Sequence, residues 1–322
     1  MSRQALIPAV FPYSDPSTRT FSLGITALGS VWVSGSTAAR LDRASGKTRV
    51  EGNLAEQARL ILEKTRVVLE AGGLGLADIV SMVQYLTPAA LAELPQLSAL
   101  YKEVFAGAPP LVNTIVVNSL LRGRALIEIE SVAGRGAGSA LEYLPAVSGA
   151  DRAQARVRAE ELLQARGLAW DDVVKSTELM SGAEFARPGG APRRGLQIVM
   201  PRVYDDDAGA QILMTASRGQ QGQVLYLSAE GDPAAGGVAA QCREIYVRLG
   251  KQLVAAGSGL EFVVKTTEFV TPAGLADYRQ TADVRREVFA APYPAATGVI
   301  CDRLVNPAAQ LAVEIVAVRN AA

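Results

Sequence analysis

The chain has no histidine among its 322 residues. That absence removes the side chain that most often serves as a general base near neutral pH, and with it every Ser-His or Cys-His nucleophile pair. Cysteine is nearly absent too, with Cys242 and Cys301 as the two in the chain. Two widely spaced cysteines cannot frame a disulfide-stapled fold, and without histidine they cannot complete a zinc-deaminase ligand set. Chemistry must therefore run on carboxylates, Arg, Tyr, Ser, Thr, backbone groups and water, with no metal and no organic cofactor expected. Neither sign of charge prevails, since 32 Lys and Arg balance 32 Asp and Glu. A phosphate backbone needs a basic face, so nucleic acid is not an expected partner. No apolar run approaches the roughly 18 residues of a membrane-spanning helix. The stretch MSRQALIPAVFPYSDPS lacks the charged start and long apolar segment of a signal peptide. The expectation is a cytoplasmic protein without a membrane partner.

With 49% of residues hydrophobic and 20% charged, the chain is able to bury a sizeable core. A segment recurs three times, about ninety residues apart: EKTRVVLEAGGLGLADIVSMVQYLTP, RAEELLQARGLAWDDVVKSTELMSG and YVRLGKQLVAAGSGLEFVVKTTEFVTP. Each copy reads as an amphipathic helix, a small-residue turn and a strand rich in β-branched residues. The copies align Ile79-Val80-Ser81 with Val173-Val174-Lys175 and Val263-Val264-Lys265. Such a period means one structural unit used repeatedly.

The first unit, residues 1–140, reads β-β-α-β-α-β-β, with helix apolar positions at Leu54, Ala58, Ile61, Leu62, Val68 and Leu69. The third, 219–322, repeats that order through GQVLYLSAEGD, a helix over VAAQCREIYVRLGKQLVAAG, EFVVKTTEFV, a helix over LADYRQTADVRREVFA, then ATGVICDRL and LAVEIVAVR. The middle unit, 141–218, is abbreviated: its second helix gives way to the Pro/Gly-rich loop SGAEFARPGGAPRRG. The expected class is α+β, with helices on one face of each sheet and apolar opposite faces that must bury against one another.

The motifs WVSGSTA, VVLEAGGLGLADIVSMVQYLT, YKEVFAG and PPLVNTIVV…ALIEIESVA resemble those of the reactive-intermediate (enamine/imine) deaminases, the RidA or YjgF family with its chorismate mutase-like fold. The resemblance is strong over residues 20–135, clear over 219–320 and faint over 152–217. Family members are homotrimers with sites between subunits, so this chain resembles a fused pseudo-trimer, as a monomer or a higher homo-oligomer of it. The family's carboxylate-binding arginine falls at Val112, Arg194 and Ala296 in the three units, with Arg193 beside Arg194. Its water-positioning glutamate falls at Glu128, Gln211 and Ala312. The resemblance thus implies Glu128 and Arg194 as catalytic residues in one cleft between the first and middle units. Its Ser-Gly motif implies Ser34 and Ser228 as substrate-binding residues, with Thr297 and Arg303 as further candidates. The family tyrosine corresponds to Phe21, and Glu130 and Glu314 read as members of structural networks.

The function implied is hydrolytic, metal-independent release of ammonia from a carboxylate-bearing enamine or imine, such as a 2-aminomuconate-type intermediate of aromatic degradation. A chorismate-cleaving hydrolase of the same fold, or a non-catalytic small-molecule-binding relative, are the alternatives. A histidine-free site is also expected to lack a titration near neutral pH. Ammonia release is expected to proceed at an unchanged rate in a chelator. Loss of activity in chelator and its return with a divalent ion would contradict the reading.

Overall fold

The computed structural model describes residues 3–42, 44–134, 141–186, 195–205, 207–217 and 223–319. Gly24–Ala27 (β1) and Ser30–Thr37 (β2) form a hairpin around Leu28 and Gly29, whose φ values of 50° and 73° are both left-handed. A tight hairpin turn of this hand matches the twist of its strands, and glycine adopts it without a Cβ clash. Helix α1 (Leu54–Glu70) opens with a reciprocal cap in which Asn53 and Glu56 each accept the other's backbone N–H. Its buried face carries Leu54, Ala58, Ile61, Leu62, Val68 and Leu69, as the apolar spacing predicts. Then come β3 (Ile79–Leu86), α2 (Leu94–Val104), β4 (Leu111–Val116) and β5 (Ile127–Gly134).

The middle of the chain supplies β6 (Val147–Gly149), α3 (Arg152–Ala165), β7 (Val173–Met180), β8 (Gly195–Val199) and β9 (Ala210–Ser217). The last part supplies β10 (Val224–Glu230), α4 (Val238–Ala255), β11 (Val263–Val270), α5 (Thr281–Val288), β12 (Ala295–Ile300) and β13 (Leu311–Val318).

Three sheets share one strand path: β2-β5-β3-β4, β6-β9-β7-β8 and β10-β13-β11-β12. In each, the strand after the long helix pairs parallel with the next strand and antiparallel with the last. Each also shifts register at the same place, between Ile79 and Ser81, Val173 and Lys175, and Val263 and Lys265. A bulge re-aims the side chains that follow it. Ser81, Lys175 and Lys265 accordingly line one cavity of about 510 Å³ among the three sheets.

Each long helix packs on its own sheet, with Ile61 and Met82 in one core, Leu163 and Ile212 in another, and Tyr246 and Ile315 in the third. A further core joins Tyr85, Ile115, Leu179, Ile198, Phe269 and Val299, which come from all three sheets. The sheet faces are too apolar to stay wet, and this shared core is where they bury.

Some elements differ from the sequence reading. Arg40–Asp42 and Lys47–Arg49 form a small separate hairpin that no apolar alternation announces. The helix expected over LADYRQTADVRREVFA divides into Pro272–Leu275, a turn at Tyr278–Gln280 and α5. At the break, the Tyr278 hydroxyl donates to Glu268 Oε2 at 2.7 Å. The strand expected over ATGVICDRL ends at Ile300, and Arg303–Leu304 crosses to pair with Ile198 and Val199 of the second sheet. Among the described residues, no helix is long and apolar enough to cross a membrane.

Phe269 is 2% exposed within the shared core. Phe269→Ala should lower unfolding free energy in urea by about 3–5 kcal/mol through lost contacts and a cavity. Trp32 on β2 and Trp170 beside β7 report on the first and second sheets. Their fluorescence changes should shift together in single-tryptophan versions, and two separated transitions would refute a core common to the sheets.

Candidate active site between the first and third sheets

Strand β2 packs against β12, so the first and third sheets meet at these strands. A bulge at Ser34-Gly35 interrupts the β2–β5 ladder at this contact. Ser34 fastens it: its hydroxyl donates to the Ser22 carbonyl at 2.6 Å and accepts the Ala296 N–H at 2.8 Å. Gly35 is required by close approach, because a Cβ there would lie 2.5 Å from Glu128 Oε1 and 2.6 Å from Thr297 Cγ2.

Below the bulge lies a buried polar junction. Glu130 Oε2 is 2.8 Å from Lys265 Nζ, and its Oε1 accepts from the Tyr85 hydroxyl at 3.1 Å. The Thr297 hydroxyl donates to Glu130 and accepts from both Lys265 Nζ and the Gly35 N–H, at 2.5 and 3.0 Å. One donor and two lone pairs are thereby used, leaving Thr297 Oγ1 no free position for a ligand. Burial alone would raise the Glu130 carboxyl, but the Lys265 ammonium and these hydrogen bonds hold it below the usual range.

Glu128, two residues away on the same face of β5, has a different environment. It is 7% exposed, and no hydrogen bond is made to its carboxylate among the described residues. Burial, reinforced by the charge of Glu130, pushes its carboxyl up to about 8 against the opposing pull of Lys265 and Arg122. Glu128 is therefore protonated at neutral pH. Lys265 and Arg122 are the cations that act on it, and a second group of cations lies near the bulge. Lys64 Nζ donates to the carbonyls of Thr37, at 2.8 Å, and Ala39, and burial together with Arg19 and Arg122 brings it down to about 7. Arg19 lies over the rings of Phe11 and Phe21, 5.9 and 5.1 Å from their centroids, and lines a small recess with Lys64, Ser34, Gly35 and Ser36. A titration near neutrality thus arises without histidine, contrary to the sequence expectation, because burial moves a carboxyl up and an amine down into that range.

The other predicted residues disperse. Arg193 and Arg194 lie outside the described residues. The strand that follows them, β8, packs against β10 of the third sheet, whereas Glu128 faces β12. Glu128 therefore does not sit at the boundary that β8 forms, and the single first–middle cleft expected from the sequence is not what the strands build. At the first–middle boundary, Asn113 instead closes the gap by bonding Leu144 O and the Ala146 N–H at 3.1 and 2.8 Å. Ser228 pairs opposite Glu314 and lines the cavity among the three sheets. Arg303 places its guanidinium 4.4 Å from the Phe185 ring centroid, a cation–π stack away from Glu128 rather than an edge ion pair. Sequence reasoning missed Lys64, Arg19 and Arg122. Lys64 had a visible signal, a lysine on the apolar face of α1, but Arg19 and Arg122 fall in no periodic pattern.

Comparison with known proteins places the chain in a family. The family model described as Endoribonuclease L-PSP matches residues 13–134 and 218–319, more than half of the chain. The chain belongs to this family, which includes the RidA/YjgF proteins. Both matches stop short of residues 135–217, where most of the second sheet lies. Protein DfrA of Myxococcus xanthus is 33% identical over 84 residues, 26% of this chain and 62% of that protein. The RutC family protein PH0854 of Pyrococcus horikoshii is 31% identical over 84 residues, 26% of this chain and 64% of that protein. The chain thus spans less than two thirds of the length of these curated relatives. Among solved structures, the YjgF gene product of E. coli is 22% identical, with 41% of this chain and 99% of that chain covered and a TM-score of 0.35. YyfA of Yersinia pestis, from the conserved Rid protein family, is 25% identical over 42% of this chain and 100% of that chain, with a TM-score of 0.35.

The raised carboxyl of Glu128 has a consequence for stability. The folded chain holds a proton that the unfolded chain releases above the ordinary value of 4.5, so stability falls as pH rises from there to about 8. The slope for one such group is at most about 1.4 kcal/mol per pH unit. Glu128→Gln should flatten that decline in urea titrations between these limits. An identical pH dependence in wild type and variant would show that Glu128 ionises normally.

Proposed function

We propose that the chain is a hydrolytic deaminase acting on a carboxylate-bearing enamine or imine, built as a fused pseudo-trimer of units 1–140, 141–218 and 219–322. The common strand path, the common bulge and the shared core support that reading of the units. The working cleft is assigned to the first–third boundary. One observation carries this: Glu128 is buried and its carboxyl is pushed up to about 8 against the pull of Lys265 and Arg122, with its strand joined to the third sheet by the Glu130 junction.

An imine needs protonation at nitrogen and attack by water, and an enamine needs protonation at carbon first. A carboxylic acid that is neutral at working pH supplies the proton. As a carboxylate it then takes a proton from the attacking water, and the carbinolamine collapses to ammonia and a carbonyl. The sum is C=N–H plus water giving C=O plus ammonia, with no redox change. Arg19 and Arg122 take over the carboxylate-holding role that Ala296 cannot perform at this boundary. Thr297 acts as a positioning residue through Gly35 and Glu130. A 2-aminomuconate-type compound has the required unsaturation and carboxylates, and is the proposed substrate class.

The test is ammonia release from 2-aminomuconate and from simple 2-imino acids generated in the assay. Glu128→Gln should lower kcat at least about tenfold, equivalent to about 1.4 kcal/mol of barrier, with an unchanged circular dichroism spectrum. Arg19→Ala should act mainly on KM. Glu128→Gln turning over at the wild-type rate would remove this cleft from consideration. Pyruvate release from chorismate faster than any deamination would replace the reaction itself.

A further inference from the structure

The cavity among the three sheets is not used by the proposed chemistry, and its walls are unequal. The strand registers put two positions of each sheet in correspondence. Ser81, Lys175 and Lys265 match one another, and so do Glu130, Leu213 and Glu314. Two of the resulting contacts between sheets are ion pairs, Lys265 with Glu130 at 2.8 Å and Lys175 with Glu314 at 2.7 Å. The third position has no charge, since Ser81 and Leu213 occupy it beside Val83 and Ile115. The cavity therefore has an ionic side and an apolar side.

The two lysines are not equivalent. Lys265 spends its three N–H donors on Glu130, Thr297 and the Val33 carbonyl, and its side chain is 8% exposed. Lys175 makes a single contact among the described residues, with Glu314, and its side chain is 27% exposed where it lines the cavity. Two of its N–H donors remain available there. Glu314 accepts from Thr177 on Oε1 at 2.7 Å and from Lys175 on Oε2, so its carboxylate keeps lone pairs as well. A partly exposed donor and a buried acceptor with lone pairs to spare sit side by side on a wall with two lysines and two glutamates, hence no net charge.

We propose that this cavity is a second ligand site, which binds a free α-amino acid with an aromatic side chain. A zwitterion brings no net charge into a low-dielectric site, where an uncompensated ion is costly. Its carboxylate accepts from Lys175 and its ammonium donates to Glu314, while the ring lies against Val83, Ile115 and Leu213. A volume of about 510 Å³ falls in the range of small-molecule pockets and favours an aromatic over a smaller side chain. Binding there can be measured without turnover at Glu128.

Titration calorimetry of the full chain with L-phenylalanine tests the proposal without any assay of activity. Binding is expected, with N-acetyl-L-phenylalanine, which lacks the ammonium, and 2-phenylethylamine, which lacks the carboxylate, each at least about tenfold weaker. The double variant Lys175→Met/Glu314→Gln removes both charges together, so no buried ion is orphaned. Val83→Phe fills the apolar side without removing a charge, and so decides the matter even if the double variant does not fold. Both should bind phenylalanine at least about tenfold more weakly. No heat with millimolar phenylalanine, analogues equal to the amino acid, or Val83→Phe binding as wild type would each overturn the assignment.

Discussion

The ion pair between Glu130 and Lys265 fixes the arrangement on which the rest depends. It joins the last strand of the first sheet to the central strand of the third, and both side chains are largely withdrawn from water. A buried pair of this kind adds little net stability, but removing one partner leaves an unpaired charge costing about 3–5 kcal/mol. Its effect is therefore on register. With Tyr85 and Thr297 as further partners, one relative placement of the two strands satisfies every group. That placement brings Gly35 against Glu128 and Thr297 and keeps the Glu128 carboxyl buried, which pushes it up to about 8.

Repetition and divergence divide the labour. The same strand path and the same bulge occur three times, yet matched positions no longer hold the same chemistry. Lysine stands at two of three, glutamate opposite at the same two, and the remaining position is Ser81 with Leu213. Identical units in a homotrimer must all carry one residue at each position. A single chain with three boundaries can close one with Asn113, stack Arg303 on Phe185 beside another, and keep a glutamate, Glu128, at the position where the other two parts of the chain have Gln211 and Ala312.

Much of the fold was legible because its signals are local. The stripe from Leu54 to Leu69 and the β-branched runs at Val173 and Val263 are periodic, and a helix or strand follows from each. The crossing of Arg303–Leu304 to the second sheet was not legible, because its cause is a partner strand about a hundred residues away. The site was legible by half. Glu128 stood out from its family position, and its alternation with Glu130 placed both on one face. Which boundary it faces depends on strand order, which no local pattern encodes. The lysines at 175 and 265 were visible in the repeat, but their role needs the bulge that turns them inward. The titration of Glu128 near 8 comes from burial and from the charge of Glu130, quantities that exist only once the sheets are packed.

The central claim is that a neutral, buried Glu128 delivers the proton in a histidine-free cleft. The pH dependence of kcat/KM for imine hydrolysis, measured on the wild-type chain and on Glu128→Gln, tests it most directly. The account predicts a rate that falls as pH rises through about 8 in the wild type, and no such limb in the variant. A wild-type profile that is flat through this range, or a falling limb that survives in Glu128→Gln, would contradict it.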